Sequence, residues 1–243
     1  FSMGGTGSWF LAGRYPHLLA GAMPFHGVIF TDPPKVPADQ VKAIQHGLIP
    51  NVRHVPLYYT TGSVDANCPP GSYVYAEGVL NKLRAESGGG YDVNFRCVKG
   101  LPHAFDKGEP QAAFQWLLGR KRITFPRGLT WESCVEFTWP EDKQGRLLVR
   151  DFYWLRCEEP AEAMQVRADI DGQTVRLEVK RHDPKGFTVF LSPELIDVTK
   201  EVAVVCNGKE VFRGVLAPSF SAMLQSLSDR FDRAMVFDRR VDF

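Results

Sequence analysis

Three residues of this 243-residue chain could do chemistry together: Ser2, Asp65 and His103. A serine hydroxyl is a weak nucleophile until a base takes its proton, and the base needs a third group to orient it. Ser2 stands in Phe1-Ser2-Met3-Gly4-Gly5, the right half of the pattern G-x-S-x-G. That pattern makes a sharp strand-to-helix turn, the nucleophile elbow, which holds a serine hydroxyl out at the carboxyl edge of a sheet. Its glycines are expected where the turn brings backbone segments too close for side chains. The Met3 N–H would then face the oxyanion that forms when a carbonyl is attacked. In the chain order tied to such an elbow, the acid comes next and the histidine last. Asp65, in Gly62-Ser63-Val64-Asp65, and His103, in Gly100-Leu101-Pro102-His103-Ala104-Phe105, follow that order. The first glycine of the pattern would precede Phe1, and so would the strand feeding the turn. The chain reads as one that starts inside a motif.

The elements that position these residues alternate in type. Ser8 to Ala12 reads as the helix leaving the elbow, stopped by Gly13 and Pro16. Leu18 to Phe25 reads as a short buried strand. Pro33, Pro34 and Pro37 mark a loop, and Val41, Ile44 and Leu48 fall at helical spacing. Val55 to Thr61 is rich in strand formers and is bounded by Gly62. Tyr73, Ala76, Leu80 and Leu83 form one helical face that ends at Gly88-Gly89-Gly90. Val93 to Val98 is another strand, and Phe114, Trp116 and Leu117 begin a last helix. Strands alternating with helices imply βαβ units and a mostly parallel sheet, an α/β fold. Asp65 and His103 each lie just past the end of a strand, where open α/β sheets bind ligands.

The pattern becomes β-rich near residue 124. Val135 to Trp139 alternates and Leu147 to Leu155 is strand-like. Met164 to Ile170 and Thr174 to Val179 flank a hairpin signal at Asp171-Gly172. Val202 to Cys206 and Glu210 to Val215 flank a second at Asn207-Gly208. Phe187 to Leu191 alternates, Pro218 opens a helix through Leu227, and Met235 to Phe243 returns as a final strand. Closely spaced strands with tight turns suggest a small sandwich.

Residues 1 to about 119 resemble the C-terminal half of an α/β-hydrolase. The likeness is to prolyl-oligopeptidase-like and polyester-depolymerase or feruloyl-esterase-like serine hydrolases. The residues that carry it are Phe1 to Gly5, Arg14-Tyr15-Pro16, Ala22-Met23-Pro24-Phe25, Gly62-x-x-Asp65 and Leu101-Pro102-His103-Ala104-Phe105. The resemblance implies Ser2 as nucleophile, Asp65 as acid, His103 as base and an ester or peptide substrate, small or polymeric. It implies neither metal nor cofactor. It divides the chain into the C-terminal half of a catalytic domain, residues 1–122, and a β-sandwich-like accessory domain, residues 123–243. The segment by itself is expected to be inactive or nearly so, because the elbow's feeding strand and the second oxyanion donor lie outside it. The alternative is a non-catalytic binding protein that uses the β-rich domain on a hydrolase-like support.

Other residues compete for these roles. Asp favours turns, which is the competing reading of Asp65. Asp32 and Asp106 are rival acids, Asp106 standing too close to His103 along the chain for the usual arrangement. His26 follows a strand end at the same edge and is expected to line the substrate pocket. His17, His46, His54 and His182 read as surface or loop residues. Trp131, Trp139 and Trp154 read as core rather than as a sugar-binding platform. Gly4, Gly5 and Gly7 are followed by no Gly-Lys-Ser/Thr, which removes a phosphate loop. The five cysteines are scattered without a CxxC, so a zinc site is not expected and buried thiols are. A net charge of +1 gives no reason to expect a nucleic acid partner, and no apolar run reaches the ~20 residues of a membrane span. Oligomeric state and compartment, secreted or periplasmic included, stay open.

Overall fold

A computed structural model describes residues 1–29, 47–133 and 148–243. The chain divides into two compact units, Phe1–Arg122 and Ile123–Phe243.

In the first unit, helix α1 (Met3–Arg14) is followed by strand β1 (Leu57–Gly62), helix α2 (Gly71–Ser87), strand β2 (Val93–Val98) and helix α3 (Glu109–Leu117). β1 and β2 pair in parallel from Leu57↔Val93 to Gly62↔Val98. The other side of β1 meets Ala22–Phe25, also in parallel, through bridges at Ala22↔Leu57 and Phe25↔Thr60. That segment is shorter than the expected Leu18–Phe25 strand, and prolines are the reason. Pro16 opens a 3₁₀ turn that runs to Leu18. Ala22 N–H donates to Pro56 O and His26 N–H to Thr60 O, so the rung between them falls on Pro24, which has no N–H to give. The parallel α/β arrangement is the expected one. α3 begins earlier than expected: Gly108, at φ +79°, caps it, and Phe114, Trp116 and Leu117 end it rather than begin it.

β1 is buried along its whole length, as a central parallel strand should be. α2 turns Tyr73, Ala76, Val79, Leu80 and Leu83 inward, a stripe at helical spacing, and stops at Gly88 in the left-handed conformation. Tyr59 is the centre of this core. Its ring stacks on Phe95 at 4.8 Å and meets the edge of Trp9 at 5.1 Å. Full burial of each such side chain contributes about 1.5–3 kcal/mol.

The close approach expected of the elbow glycines occurs at Gly5, and a second one at Gly27, which lies against it. A Cβ on Gly5 would collide with the Phe25 carbonyl, and one on Gly27 with the Thr6 and Gly5 backbone. Gly4 faces open space. Gly5→Ala is therefore expected to destabilise by about 1–3 kcal/mol through overpacking against rigid backbone. Gly4→Ala should be neutral or gain about 0.5–1 kcal/mol from lost unfolded-state freedom. Urea titration of the two variants checks the contrast.

The second unit has two sheets around one core. One runs, in spatial order, β10 (Lys209–Gly214), β9 (Val202–Cys206), β7 (Thr174–Lys180), β6 (Gln165–Asp171) and β3 (Gly128–Glu132). The other runs β11 (Arg239–Asp242), β8 (Phe187–Leu191), β5 (Leu155–Cys157) and β4 (Asp151–Phe152). β6 and β7 alternate buried and exposed residues strictly. Trp131 from one sheet stacks on Phe152 from the other at 5.3 Å, and Trp154 is fully buried, its Nε1–H donating to Pro126 O. Both tryptophans are core, as expected; Trp139 and the Val135–Trp139 run lie outside the described residues. Asn207-Gly208 is the two-residue turn expected, both residues at positive φ. The first hairpin differs by one: Asp171 still pairs with Thr174, so the turn is Gly172-Gln173. Tyr153, at φ +53°, splits the described part of the expected Leu147–Leu155 run into β4 and β5; Leu147 lies outside the described residues. Helix α4 (Phe220–Arg230) precedes β11, its N-terminus capped by the Ser219 hydroxyl. No helix among the described residues is long and apolar enough to cross a membrane.

Candidate active site

Ser2 sits immediately before α1, with φ +55° and ψ −124°. A serine in that half of backbone space is strained by about 1–3 kcal/mol. Its amide donates to Phe25 O at 2.9 Å, which ties the turn to the end of the Ala22–Phe25 segment. Its side chain makes no helix cap, so the hydroxyl is free for another partner. That partner is His103, whose Nε2 lies 2.9 Å from Ser2 Oγ.

Asp65 and His103 are brought together by loops that touch. Val64 N–H donates to Leu101 O and Ser63 N–H to Val98 O. Gly62 has no room for a Cβ, which would collide with the Leu101 carbonyl. His103 Nδ1 lies 2.8 Å from Asp65 Oδ2. Asp65 Oδ1 accepts the amides of Asn67 at 3.0 Å and Cys68 at 2.8 Å, an Asx turn that fixes the carboxylate. An ionised carboxylate only accepts, so the ring presents Nδ1–H to it and leaves Nε2 to accept the serine proton. Met3 is the first residue of α1, and the first amides of a helix have no acceptor within it. Its N–H is thus placed beside Ser2 without an intrahelical bond.

His26, expected along a pocket, lies beside Asp65 and His103. It is fully buried, at φ +47°, and its Nδ1 lies 2.9 Å from the same Asp65 Oδ2. The sequence carries no signal for this second contact beyond the position of His26 after a strand end. The loop that holds it is also outside sequence reasoning: Gly27 N–H donates to the Tyr73 hydroxyl and Val28 N–H to Thr6 Oγ1, each at 2.8 Å. Of the rival acids, Asp106 pairs with Arg96 at 3.9 Å, and Asp32 lies outside the described residues. His17 is buried rather than on the surface. His182 is partly buried, 3.5 Å from Cys157 Sγ, and His46 lies outside the described residues. Cys68, Cys157 and Cys206 are buried free thiols, whereas Cys97 is exposed, since β2 is only partly covered.

Burial raises the Asp65 carboxyl, but the Cys68 amide and the His103 and His26 rings outweigh it and hold the group at about 2, below its ordinary 3.8. The sign follows from linkage. A folded-state value below the unfolded one stabilises above pH ~4, and that stability is lost as pH falls toward about 2. The amount is about 2 kcal/mol. Asp65→Asn should therefore flatten the fall of the urea midpoint between pH 4 and 2, and an unchanged slope would contradict it.

Among the described residues, His26, Asp65 and His103 form the group whose ligand atoms are close enough for a metal ion, all within 4.8 Å. Their 2.8 and 2.9 Å contacts to Oδ2 have the length of N–H···O⁻ hydrogen bonds. Tetrahedral zinc bonds of about 2.1 Å would require donors roughly 3.4 Å apart. The spacing fits two protons on one carboxylate oxygen better than a metal.

No family model matches the chain, and no curated protein matches it. Solved structures do. A thermostable esterase aligns with a TM-score of 0.36 and 21% identity over 50% of this chain and 30% of its own. Esterase PE8 aligns with a TM-score of 0.32 and 21% identity over 48% of this chain and 46% of its own. SOBER1 of Arabidopsis thaliana aligns with a TM-score of 0.32 and 17% identity over 48% and 49%. The chain thus spans between 30% and 49% of the length of these structures.

Proposed function

We propose that the protein is a serine hydrolase of the α/β-hydrolase type, cleaving esters through an acyl-enzyme. One observation carries the reading: an unbroken line from Ser2 Oγ to His103 Nε2 at 2.9 Å and from His103 Nδ1 to Asp65 Oδ2 at 2.8 Å. The strained backbone of Ser2 supports it, because a side chain is rarely held there without a use.

Ser2 Oγ attacks the substrate carbonyl carbon while His103 Nε2 takes its proton. The carbonyl oxygen becomes an oxyanion and accepts the Met3 N–H. Collapse breaks the bond to the leaving alkoxide, which takes the proton back from Nε2. Water then repeats the sequence on the acyl-serine and releases the acid. Asp65 stays ionised throughout, fixes the His103 tautomer and stabilises the imidazolium. Ester is preferred to peptide on the likeness of Ser-Met-Gly-Gly to esterases. Residues 123–243 are read as an accessory domain without catalytic residues.

A fluorophosphonate probe tests the proposal. It should label the intact protein, and mass mapping should place the label on Ser2. Absence of label on folded protein overturns the reading and favours a binding module.

A further inference from the structure

We propose that His26 is a positioning residue: it shares Asp65 Oδ2 with His103 and so sets how strongly the acid holds the base. The inference rests on the hydrolase reading above. Two imidazoles converge on one carboxylate oxygen, at 2.9 Å from His26 and 2.8 Å from His103, with the rings edge to face at 5.9 Å. Asp65 Oδ1 is already saturated by two amides. Every lone pair that could turn the carboxylate is therefore occupied, and it has no freedom to leave His103.

The other ring nitrogen of His26, Nε2, is buried and has no hydrogen-bond partner among the described residues. Among the described residues it has nothing to exchange a proton with, and what the ring gives Asp65 is its Nδ1–H. The setting is built for this. His26 holds a left-handed backbone that disfavours most side chains, its amide donates to Thr60 O, and the next two amides are tied to Tyr73 and Thr6.

The chemical effect follows from competition. A donor on Oδ2 draws charge from the carboxylate and weakens its attraction for the imidazolium of His103. The charged and titratable groups around the pair are few. Cys68 and Tyr73 lie toward Asp65, and Glu109, at the start of α3, acts on His26. Glu109 is itself paired with Arg96 at 3.3 Å. None of them donates to Asp65 Oδ2, so removal of the His26 donor leaves His103 as the partner of that oxygen among the described residues.

The test compares pH profiles of kcat/KM for the intact protein, His26→Asn and His26→Gln. An asparagine amide overlays the imidazole Nδ1 and keeps the donor; a glutamine amide overlays Nε2 and loses it. His26→Gln should lower kcat about tenfold, leave KM within about twofold, and move the acidic limb up by roughly 0.5–1 pH unit. His26→Asn should restore all three. A purely structural role would lower the melting temperature in both and leave the limb where it was. An unmoved limb in folded His26→Gln, or an Asn variant as impaired as the Gln one, overturns the inference. Fluorophosphonate labelling of the wild type separates this from failure of the hydrolase reading. Protein that labels and turns over, with variants that share its pH profile, sinks only the role of His26.

Discussion

Ser2→Ala and His103→Ala should each reduce ester turnover by about 10⁴–10⁶-fold in the intact protein, and the double variant should be no worse than either. The expectation comes from the line of hydrogen bonds. Ser2 Oγ and His103 Nε2 form one 2.9 Å contact, so removal of either atom leaves the other with no function. Asp65→Asn costs less, about 10²–10⁴-fold, because the serine and histidine remain but the ring loses the acceptor that fixes its tautomer. The rivals provide the controls. Asp106→Ala should leave the rate unchanged, since that carboxylate is engaged with Arg96. Asp32→Ala should do likewise. Full activity in Asp65→Ala with none in Asp32→Ala would remove Asp65 from the mechanism.

The second large effect is expected at a residue with no side chain. Gly62→Ala places a methyl group against the Leu101 carbonyl, and backbone cannot swing aside as a side-chain tip would. The loop carrying Asp65 and the loop carrying His103 then separate. A displacement of about 1 Å between reacting groups costs on the order of 10²-fold in rate. Overpacking adds a stability loss of about 1–3 kcal/mol. Gly78→Ala is the matched control: it lies on the exposed side of α2 with nothing near its Cβ position. Steady-state kinetics on folded Gly62→Ala should show a fall in kcat, and a wild-type rate would refute the tight-junction account.

The alternation of strands and helices is legible from composition and periodicity because β1 and α2 are built from residues that declare themselves. β1 is Leu-Tyr-Tyr-Thr-Thr-Gly, and α2 repeats its apolar residues every three or four positions. The nearness of Ser2, Asp65 and His103 is legible too, since Asp65 and His103 each follow a strand end on one edge of a parallel sheet and Ser2 stands in the elbow pattern that opens α1. The misread stretches have local causes. Pro16, just before the Leu18–Phe25 run, and Pro24, inside it, are visible breakers, and apolar content alone hides them. The start of α3 is set by Gly108 and Pro110, while its apolar residues gather at the far end and draw the eye there. The contact of His26 with Asp65 has no local signature at all. It depends on a positive φ at a non-glycine residue and on the Ala22–Phe25 segment lying alongside β1, which no window along the chain contains.

The backbone at position 2 sets stability and use against each other. Glycine would sit at φ +55° without strain, and no helix cap would be lost with the hydroxyl. Relief of about 1–3 kcal/mol would exceed the extra freedom of an unfolded glycine, about 0.5–1 kcal/mol. A library randomised at this codon and sorted for heat resistance alone would therefore enrich glycine. The same library sorted for turnover would return serine. The two winners differ by one hydroxymethyl group and mark opposite ends of a trade-off that evolution of such an elbow cannot escape.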